Sequence, residues 1–378
     1  MSPPLVQEPL PITPRIGQER FVFLICQHGA EATIKTRWTG ENRPFRLAFS
    51  RPGLLTLKIG EIPPPSPWPT ETSRGAANLK LSQDWMIRLS GLALGQVRDS
   101  SGGDVNAQLL ADQAVALAGD QWDAVHVFER DRELPGIKGF EPGPTPLCSE
   151  IGKIICQRLQ QPDGAPPLNL SAEPGQRVLD VVLIEPNHWL IGHHVPQQRH
   201  ERWPGGAYAV PAPGHMVSRA YLKMSEAIAW SGFPIEPDDC IVEIGSAPGG
   251  ACQRLLDLGL RVTGIDPAEM DPLLLANPRF EHWRGKSSAM RRKMYSKFRW
   301  LAADANVAPN YTLDAVEDIV NYKTSRIQGV LLTLKLSSYE LAEQLDTYMA
   351  RVRSWGFSRV EVRQLAANRR ECCLVAER

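Results

Sequence analysis

The stretch VEIGSAPGGACQRLLDLGLRVTGID, residues 242–266, constrains this chain more than any other. An apolar run, CIVEIGS, meets a turn of small residues, then a helical pattern, then a second apolar run, RVTGID. This is a strand–helix–strand unit whose continuous apolar strand suits a parallel sheet covered on both faces. Downstream, FRWLAADA and GVLLTLKL read as further strands, SYELAEQLDTYMARVRSWG as a helix, and SRVEVRQL and RECCLVAE as two closing strands. Upstream, SRAYLKMSEAIAWSGF reads as a helix starting near Ser218. Strands alternating with helices predict an α/β fold, a doubly wound parallel sheet with a terminal hairpin edge.

In such a sheet the first strand-to-helix turn lies at the ligand edge. Gly245, Gly249 and Gly250 let a ligand approach the backbone. The spacing is not the dinucleotide Gly-x-Gly-x-x-Gly, and Pro248 removes an amide that a pyrophosphate would use. A tight structural turn is the plainer reading. Against it stand Glu243 at the strand end and Asp266 at the end of the next strand, about 20 residues on, where an acid can bind ribose hydroxyls. A ligand with a ribose but no phosphate fits better, and S-adenosylmethionine is one. The candidate cofactor residues are Glu243, Gly245, Ser246, Ala247, Pro248, Gly249, Gly250 and Asp266.

Before this region the texture differs. Residues 1–19 are rich in proline and read as a disordered tail. Phe21 to Cys26 reads as a strand with a helix after it, and PFRLAFSRPGLLTLKIG as two strands split at Arg51-Pro52-Gly53. Residues 61–75 must be a loop, since proline breaks helix and strand alike. QLLADQAVALAGDQWDAVHVFERD reads as a helix and then a strand, SEIGKIICQRLQQ as a helix, and QRVLDVVLIEPNHWLIGHH as two strands joined at Glu185-Pro186-Asn187. Residues 20–205 are thus a mixed α+β region, and 210–378 a second domain.

The formal net charge of zero rules out a global basic field, so any nucleic-acid surface has to be a local patch. No apolar run approaches the roughly 20 residues that span a bilayer. Seven scattered cysteines, without a CxxC pair or an export signal, fit a reducing cytoplasm. His193, His194 and His200 cluster in GHHVPQQRH, but no cysteine or carboxylate sits at ligand spacing, and no metal is expected.

EIGSAPGG resembles the cofactor loop of the FtsJ-like ribose 2′-O-methyltransferases, and SRAYLKMSEA, LLTLKL and RRECCLVAE resemble motifs of the same family in the same order, over residues 217–376. FLICQHGAE, RLAFSRPGLLTLK, EPNHWLIGHH and RWPGG are similar to a branch that modifies cytidine in large-subunit rRNA and carries a THUMP-type RNA-binding module. The resemblance implies a Rossmann-like class I methyltransferase domain preceded by an α+β THUMP-like domain. It also implies S-adenosylmethionine as cofactor, adding Asp304 to the residues that bind it, RNA as partner, and a Lys-Asp-Lys-Glu tetrad at Lys223, Asp304, Lys335 and Glu371. Glu243 stands where the family more often has Asp, and Ala305 where it often has Met.

Each tetrad residue also has a plainer reading: a solvated helix charge, a strand-end cap, an edge-strand surface acid. Lys335 is the sharpest, because it interrupts an apolar strand at its C-terminal end, where a lysine is costly unless paired or near water. A ribose 2′-hydroxyl is a poor nucleophile, so a base or an orienting group is needed. Lys223 and partial burial would lower the Lys335 pKa and Asp304 would raise it; Lys335 is expected to act as general base or to orient the hydroxyl.

RGKSSAMRRKMYSKFR, residues 284–299, holds seven basic residues and no acid. It reads either as a solvated amphipathic helix or as a phosphate-binding patch beside the active edge. The candidate RNA contacts are Arg219, Arg284, Lys286, Arg291, Arg292, Lys293 and Lys297. The competing readings are a base methyltransferase on the same fold and an inactive RNA-binding protein; oligomeric state is not legible.

Overall fold

The computed structural model describes residues 19–41, 43–59, 81–101, 105–119, 121–159, 164–210, 213–336 and 343–378. The expected loop at 61–75 lies outside them, as does the expected tail except for Glu19, which is buried with its carboxylate 3.1 Å from His193 Nε2.

Two seven-stranded sheets organise these residues. The first holds β1 (Phe21–Cys26), β2 (Phe45–Arg51), β3 (Leu54–Ile59), β4 (Ile87–Arg98), β5 (Ala124–Glu129), β6 (Val178–Glu185) and β7 (His188–His194), in the order β2-β3-β1-β4-β7-β6-β5. Only β5 and β6 run parallel. Helix α1 (Glu31–Trp38) follows β1. Helices α2 (Ala107–Ala118) and α3 (Pro146–Arg158) bury Leu110, Ala114, Ile151 and Ile155 in one core with β5, β6 and β7. The β2–β3 turn is where the sequence placed it. Gly53 has φ +75°, and a Cβ there would collide with the Asp131 backbone, so only glycine fits.

The second sheet holds β8 (Cys240–Ile244), β9 (Arg261–Asp266), β10 (Phe280–Arg284), β11 (Trp300–Ala303), β12 (Gly329–Lys335), β13 (Arg359–Arg363) and β14 (Glu371–Glu377). The order is β10-β9-β8-β11-β12-β14-β13, parallel from β10 to β12, with β14 antiparallel to both neighbours. This is the expected doubly wound sheet with a terminal hairpin. On one face, α4 (Ala220–Ser231) and α5 (Gly250–Asp257) bury Met224, Ala227, Cys252 and Leu255. On the other, α7 (Pro309–Val320) and α8 (Leu345–Ser354) bury Leu313, Val316, Tyr348 and Val352; the short α6 (Pro272–Leu275) lies beyond β9. Residues 338–342 of the expected last helix lie outside the described ones. The chain steps from β8 outward through β9 to β10, then returns to β11 on the other side of β8. The order therefore reverses between β8 and β11, and a crevice opens at their carboxyl ends.

The two sheets share one apolar core, in which Val22, Leu24, Trp85 and Met86 join Val242, Leu332 and Leu374. Arg363, at the end of β13 and 4% exposed, crosses the junction and donates to the carbonyls of Ile87 (2.6 Å) and Ser82 (2.8 Å). Among the described residues no helix is long and apolar enough to cross a membrane.

Candidate active site

Four strands and helix termini converge at the reversal point. Helix α4 starts just after Ser218, whose hydroxyl accepts from Ala220 N at 3.3 Å, and stops at Gly232 in the left-handed region, φ 61°. Met224, Ala227 and Trp230 recur at helical spacing and bury one face, which sets the adjacent Lys223 over the end of the sheet. Asp304 is the first residue past β11, and its amide donates to Ile244 O at 3.0 Å, continuing the ladder with β8. Lys335 ends β12 and pairs in register with Glu371, which begins β14.

These four side chains close into a ring of alternating charge. Lys335 Nζ donates to Asp304 Oδ1 at 2.7 Å and to Glu371 Oε2 at 2.5 Å. Lys223 Nζ donates to Asp304 Oδ2 and stands 3.1 Å from Glu371 Oε1. Each carboxylate thus spends one oxygen on each ammonium. Side-chain exposures between 9% and 24% leave the ring largely buried but in contact with solvent. A small pocket behind it is lined by Met224, Thr333, Asn368 and Cys373.

The ring decides the protonation states. Burial alone would raise the Asp304 pKa, but the two ammonium groups outweigh it and hold the carboxyl below its usual range. Burial alone would lower Lys335, but Asp304 and Glu371 outweigh that too, and its pKa is raised. The sequence left Lys335 as either a general base or an orienting group; the raised pKa favours the second. With two carboxylates against one neighbouring cation, Lys335 is an ammonium.

The glycine loop lies one strand away. Gly245 has φ +79°, and a Cβ there would be 2.8 Å from Ala305 Cα and 2.9 Å from Asp304 O, so this glycine lets β8 and β11 end side by side. Gly249 has φ +121°, and a Cβ on Gly250 would strike the Ser218 hydroxyl. Ser246, Ala247 and Pro248 form the bend between them; the Ser246 hydroxyl is buried 3.6 Å from Met270 Sδ. Asp266 ends β9, with Oδ2 accepting from Ala247 N (3.2 Å) and Oδ1 from Ala268 N (2.8 Å), which fixes a carboxylate at the ligand edge. Glu243 is 2% exposed and accepts from the Cys252 thiol at 2.8 Å. Burial pushes its pKa up to about 8; the Cys252 thiol and Lys223 oppose the rise, and Asp304 and Asp266 add to it. The cradle fits the group expected there: a backbone turn of glycines with the Asp266 carboxylate fixed at the ligand edge and Glu243 buried at the end of β8.

Two residues escaped the sequence reading. Glu226, one turn beyond Lys223 on α4, is 2% exposed and accepts from Ala366 N (3.0 Å) and Ala367 N (2.7 Å). Asn368 Nδ2 lies 3.4 Å from Glu371 Oε1. Together they hold the 366–368 turn that leads into Glu371. The i, i+3 spacing of Lys223 and Glu226 was the available signal.

The basic stretch departs from the helix expected on one of its readings. It is not an α-helix but two short 3-10 turns, Ser287–Ala289 and Arg292–Lys297. Tyr295 and Phe298 are buried edge-on against Trp283 and so do not stack on bases. Nor does the stretch lie wholly beside the active edge. It starts there at Arg284, in register with Asp266, and descends to the opposite edge, where Arg299 N meets Cys240 O at 3.0 Å. Arg292 pairs with Asp318 (2.9 Å), Lys297 with Glu281 (2.8 Å), and Arg284 loosely with Glu269 (3.5 Å). Lys286, Arg291 and Lys293 are exposed. Arg219 is bidentate to Glu141 at 2.6 and 2.7 Å, a link to the first half of the chain.

Residues 216–344 match the family model described as FtsJ-like methyltransferase. Among curated proteins, the chain is similar to "Ribosomal RNA large subunit methyltransferase M" of Halorhodospira halophila (strain DSM 244 / SL1), 29% identical over 181 residues, which cover 47% of this chain and 52% of that one. It is similar to the protein of the same name in Azoarcus sp. (strain BH72), 26% identical over 60% of both chains, and in Hahella chejuensis (strain KCTC 2396), 24% identical over 65% of this chain and 69% of that one. The matches span 52% and 60% of the first two of these relatives. The residues that build the glycine loop and three corners of the charged ring, Lys223, Asp304 and Lys335, all fall inside the matched segment, and the chain therefore carries an FtsJ-like methyltransferase domain.

Proposed function

We propose that this protein transfers a methyl group from S-adenosylmethionine to a ribose 2′-hydroxyl of RNA, with large-subunit rRNA as the substrate. The observation that carries the reading is the closed ring of Lys223, Asp304, Lys335 and Glu371 at the edge where the glycine loop ends. The similarity to relatives named as large-subunit rRNA methyltransferases supports the choice of RNA. The cofactor supplies a methyl already activated by its sulfonium. The chain's own task is to bring the 2′-oxygen in line with it and to keep that oxygen's lone pair aimed. Lys335, held as an ammonium, has a third N–H to offer the 2′-oxygen, and so orients it rather than deprotonating it. The 2′-hydroxyl, made acidic as its oxygen takes up the methyl, would pass its proton to water beside the partly exposed ring. Asp304 and Lys223 fix Lys335, and Glu371 fixes both lysines. Asp266 would hold the ribose of the cofactor, and Gly245 to Gly250 its amino-acid end. Residues 20–205, the THUMP-like half, present the RNA by its shape, and the protein works in the cytoplasm.

The test is tritium transfer from S-adenosylmethionine to unmodified large-subunit rRNA, followed by nuclease digestion. Label on ribose is expected. Label on a base would replace this reading by base methylation, and no transfer to any RNA would leave an inactive RNA-binding protein.

A further inference from the structure

The apolar face of the first sheet that carries Phe128, Val182 and Leu190 is interrupted at one place by three polar side chains. His126 on β5 and Asp180 on β6 are register partners, and Asp180 is opposite Gly192 on β7, which puts His194 on the diagonal of the same face. His126 and Asp180 are 0% exposed and His194 is 3% exposed. One potential ligand atom from each lies within 4.8 Å of the other two.

The hydrogen bonds around the three are arranged unequally. His126 Nε2 is 2.9 Å from Leu170 O, and His194 Nε2 is 2.8 Å from Glu201 O. A carbonyl only accepts, so each imidazole carries a proton on Nε2. That leaves a lone pair on His126 Nδ1, whereas His194 Nδ1 donates to the Asp180 carboxylate a proton that a bound cation would displace. His194 Nδ1 lies 2.6 Å from Asp180 Oδ2, whereas His126 Nδ1 and Asp180 Oδ1 are buried with no hydrogen-bond partner. Two unpartnered buried acceptors side by side are costly. A cation between them satisfies both, and ligating histidines that donate their other N–H to a backbone carbonyl are the usual outer arrangement of a metal site.

We propose that His126, Asp180 and His194 bind a structural divalent cation, with two Nδ1 atoms and one carboxylate oxygen as ligands. The donor set has two imidazoles, one carboxylate and no thiolate, which suits zinc among the common divalent ions. Zinc ligand bonds of about 2.0–2.2 Å need the three atoms to draw together by small side-chain rotations. The ion fastens β5, β6 and β7 to the loop at Leu170 and the turn at Glu201, which the two Nε2 bonds already touch. The sequence predicts no metal because no cysteine or carboxylate sits at ligand spacing from His193, His194 and His200; Asp180 and His126 arrive from neighbouring strands. The partner of His194 is thus a strand neighbour, not a sequence neighbour.

The full chain, expressed in zinc-supplemented medium and dialysed against metal-free buffer, should retain about one zinc per chain by mass spectrometry of the metal, as a buried site binds it with folding. Asp180→Asn and His126→Gln should each retain less than about a tenth of that, if they fold. Should either variant fail to fold, the wild-type protein decides alone: stripped by chelator and given Co2+, it should show the visible absorption of a tetrahedral nitrogen–oxygen site, and added zinc should raise its melting temperature. A wild-type chain with no retained zinc, no cobalt absorption and no zinc-dependent melting shift would overturn the proposal and leave a buried His–Asp ion pair. Full zinc retention in folded variants would overturn it as well, by placing the metal elsewhere.

Discussion

Between Asp304 Oδ1 at 2.7 Å and Glu371 Oε2 at 2.5 Å, the Lys335 amine gains more from keeping its proton than it loses by burial. The linkage signs follow from the two shifts. The raised Lys335 contributes stability that is fully present below 10.5 and is lost only as pH rises through its folded value. The depressed Asp304 contributes stability that is present above 3.8 and is lost as pH falls through its folded value. The ring is intact across the neutral range, so a methyl-transfer rate that changes between pH 6 and 9 does not report Lys335. Lys335→Met keeps most of the packing and removes the ammonium. Transfer should fall by about 10²-fold or more through poorer alignment, while calorimetry should find S-adenosylmethionine binding nearly unchanged, since the loop hangs on other strands. Near-normal turnover in this variant would remove Lys335 from the mechanism. Glu243, beside the glycine loop, does titrate near neutrality, with burial raising its pKa to about 8. A cationic cofactor beside it favours the ionised form, so binding should release a proton below that pH and affinity should rise as pH approaches it. Calorimetry in two buffers of different ionisation heat measures the release, and Glu243→Gln should abolish it.

Among the elements, the turn at 364–368 does the most connecting. Gln364 meets the first half at Gln27 Oε1 (3.0 Å) and Trp85 O (2.8 Å), Ala366 and Ala367 meet Glu226, and Asn368 meets Glu371. Glu226 therefore positions one corner of the ring without touching a reactant. Glu226→Gln keeps the shape but can accept only one of the two amides, which orphans the other at a cost of about 1–3 kcal/mol. The expected result is a lower kcat with an unchanged KM for S-adenosylmethionine, and the double variant with Glu371→Gln should be no slower than Glu371→Gln alone. A change in KM alone would mean that Glu226 serves the loop and not the ring. The Glu226 pKa is raised to about 7 by burial, so the wild-type fold loses stability as pH climbs from 4.5 to 7, and the variant should not show that slope. This turn shows where the sequence was legible. The buried strands β8, β9, β11 and β12 and the helix bearing Lys223 were readable because their apolar periodicity is uninterrupted. Strand β4, twelve residues long, was not. It carries Gly91 where a Cβ would strike the Phe23 ring, so the packing that makes it central also breaks its apolar pattern with a glycine. Strand β10, FEHWR, alternates with charges as an edge strand does and was hidden for the opposite reason.

The whole molecule has no net charge, yet it is proposed to hold a polyanion. That is consistent only if its unpaired cations are gathered in one place. Of the seven candidate RNA-binding residues, Arg219, Arg292 and Lys297 face carboxylates at 2.6 to 2.9 Å, and Arg284 faces one at 3.5 Å. Lys286, Arg291 and Lys293 are exposed and lie on the same run between β10 and β11. Phosphates compete poorly for cations already paired, because the pair must first be broken, so RNA should count these three and not the others. Replacing Lys286, Arg291 and Lys293 by glutamine should reduce the slope of log affinity against log salt by about 0.7–0.9 for each phosphate that is no longer neutralised. Replacing Arg292 and Lys297 together should change the slope little and lower the melting temperature instead, since they tie the run to α7 and β10 through Asp318 and Glu281. S-adenosylmethionine affinity should be untouched in both. Filter binding across a salt series reads the slopes directly. Equal slopes in the triple variant and the wild type would mean that the stretch is a solvated surface, and would move the RNA-binding face to the first half of the chain.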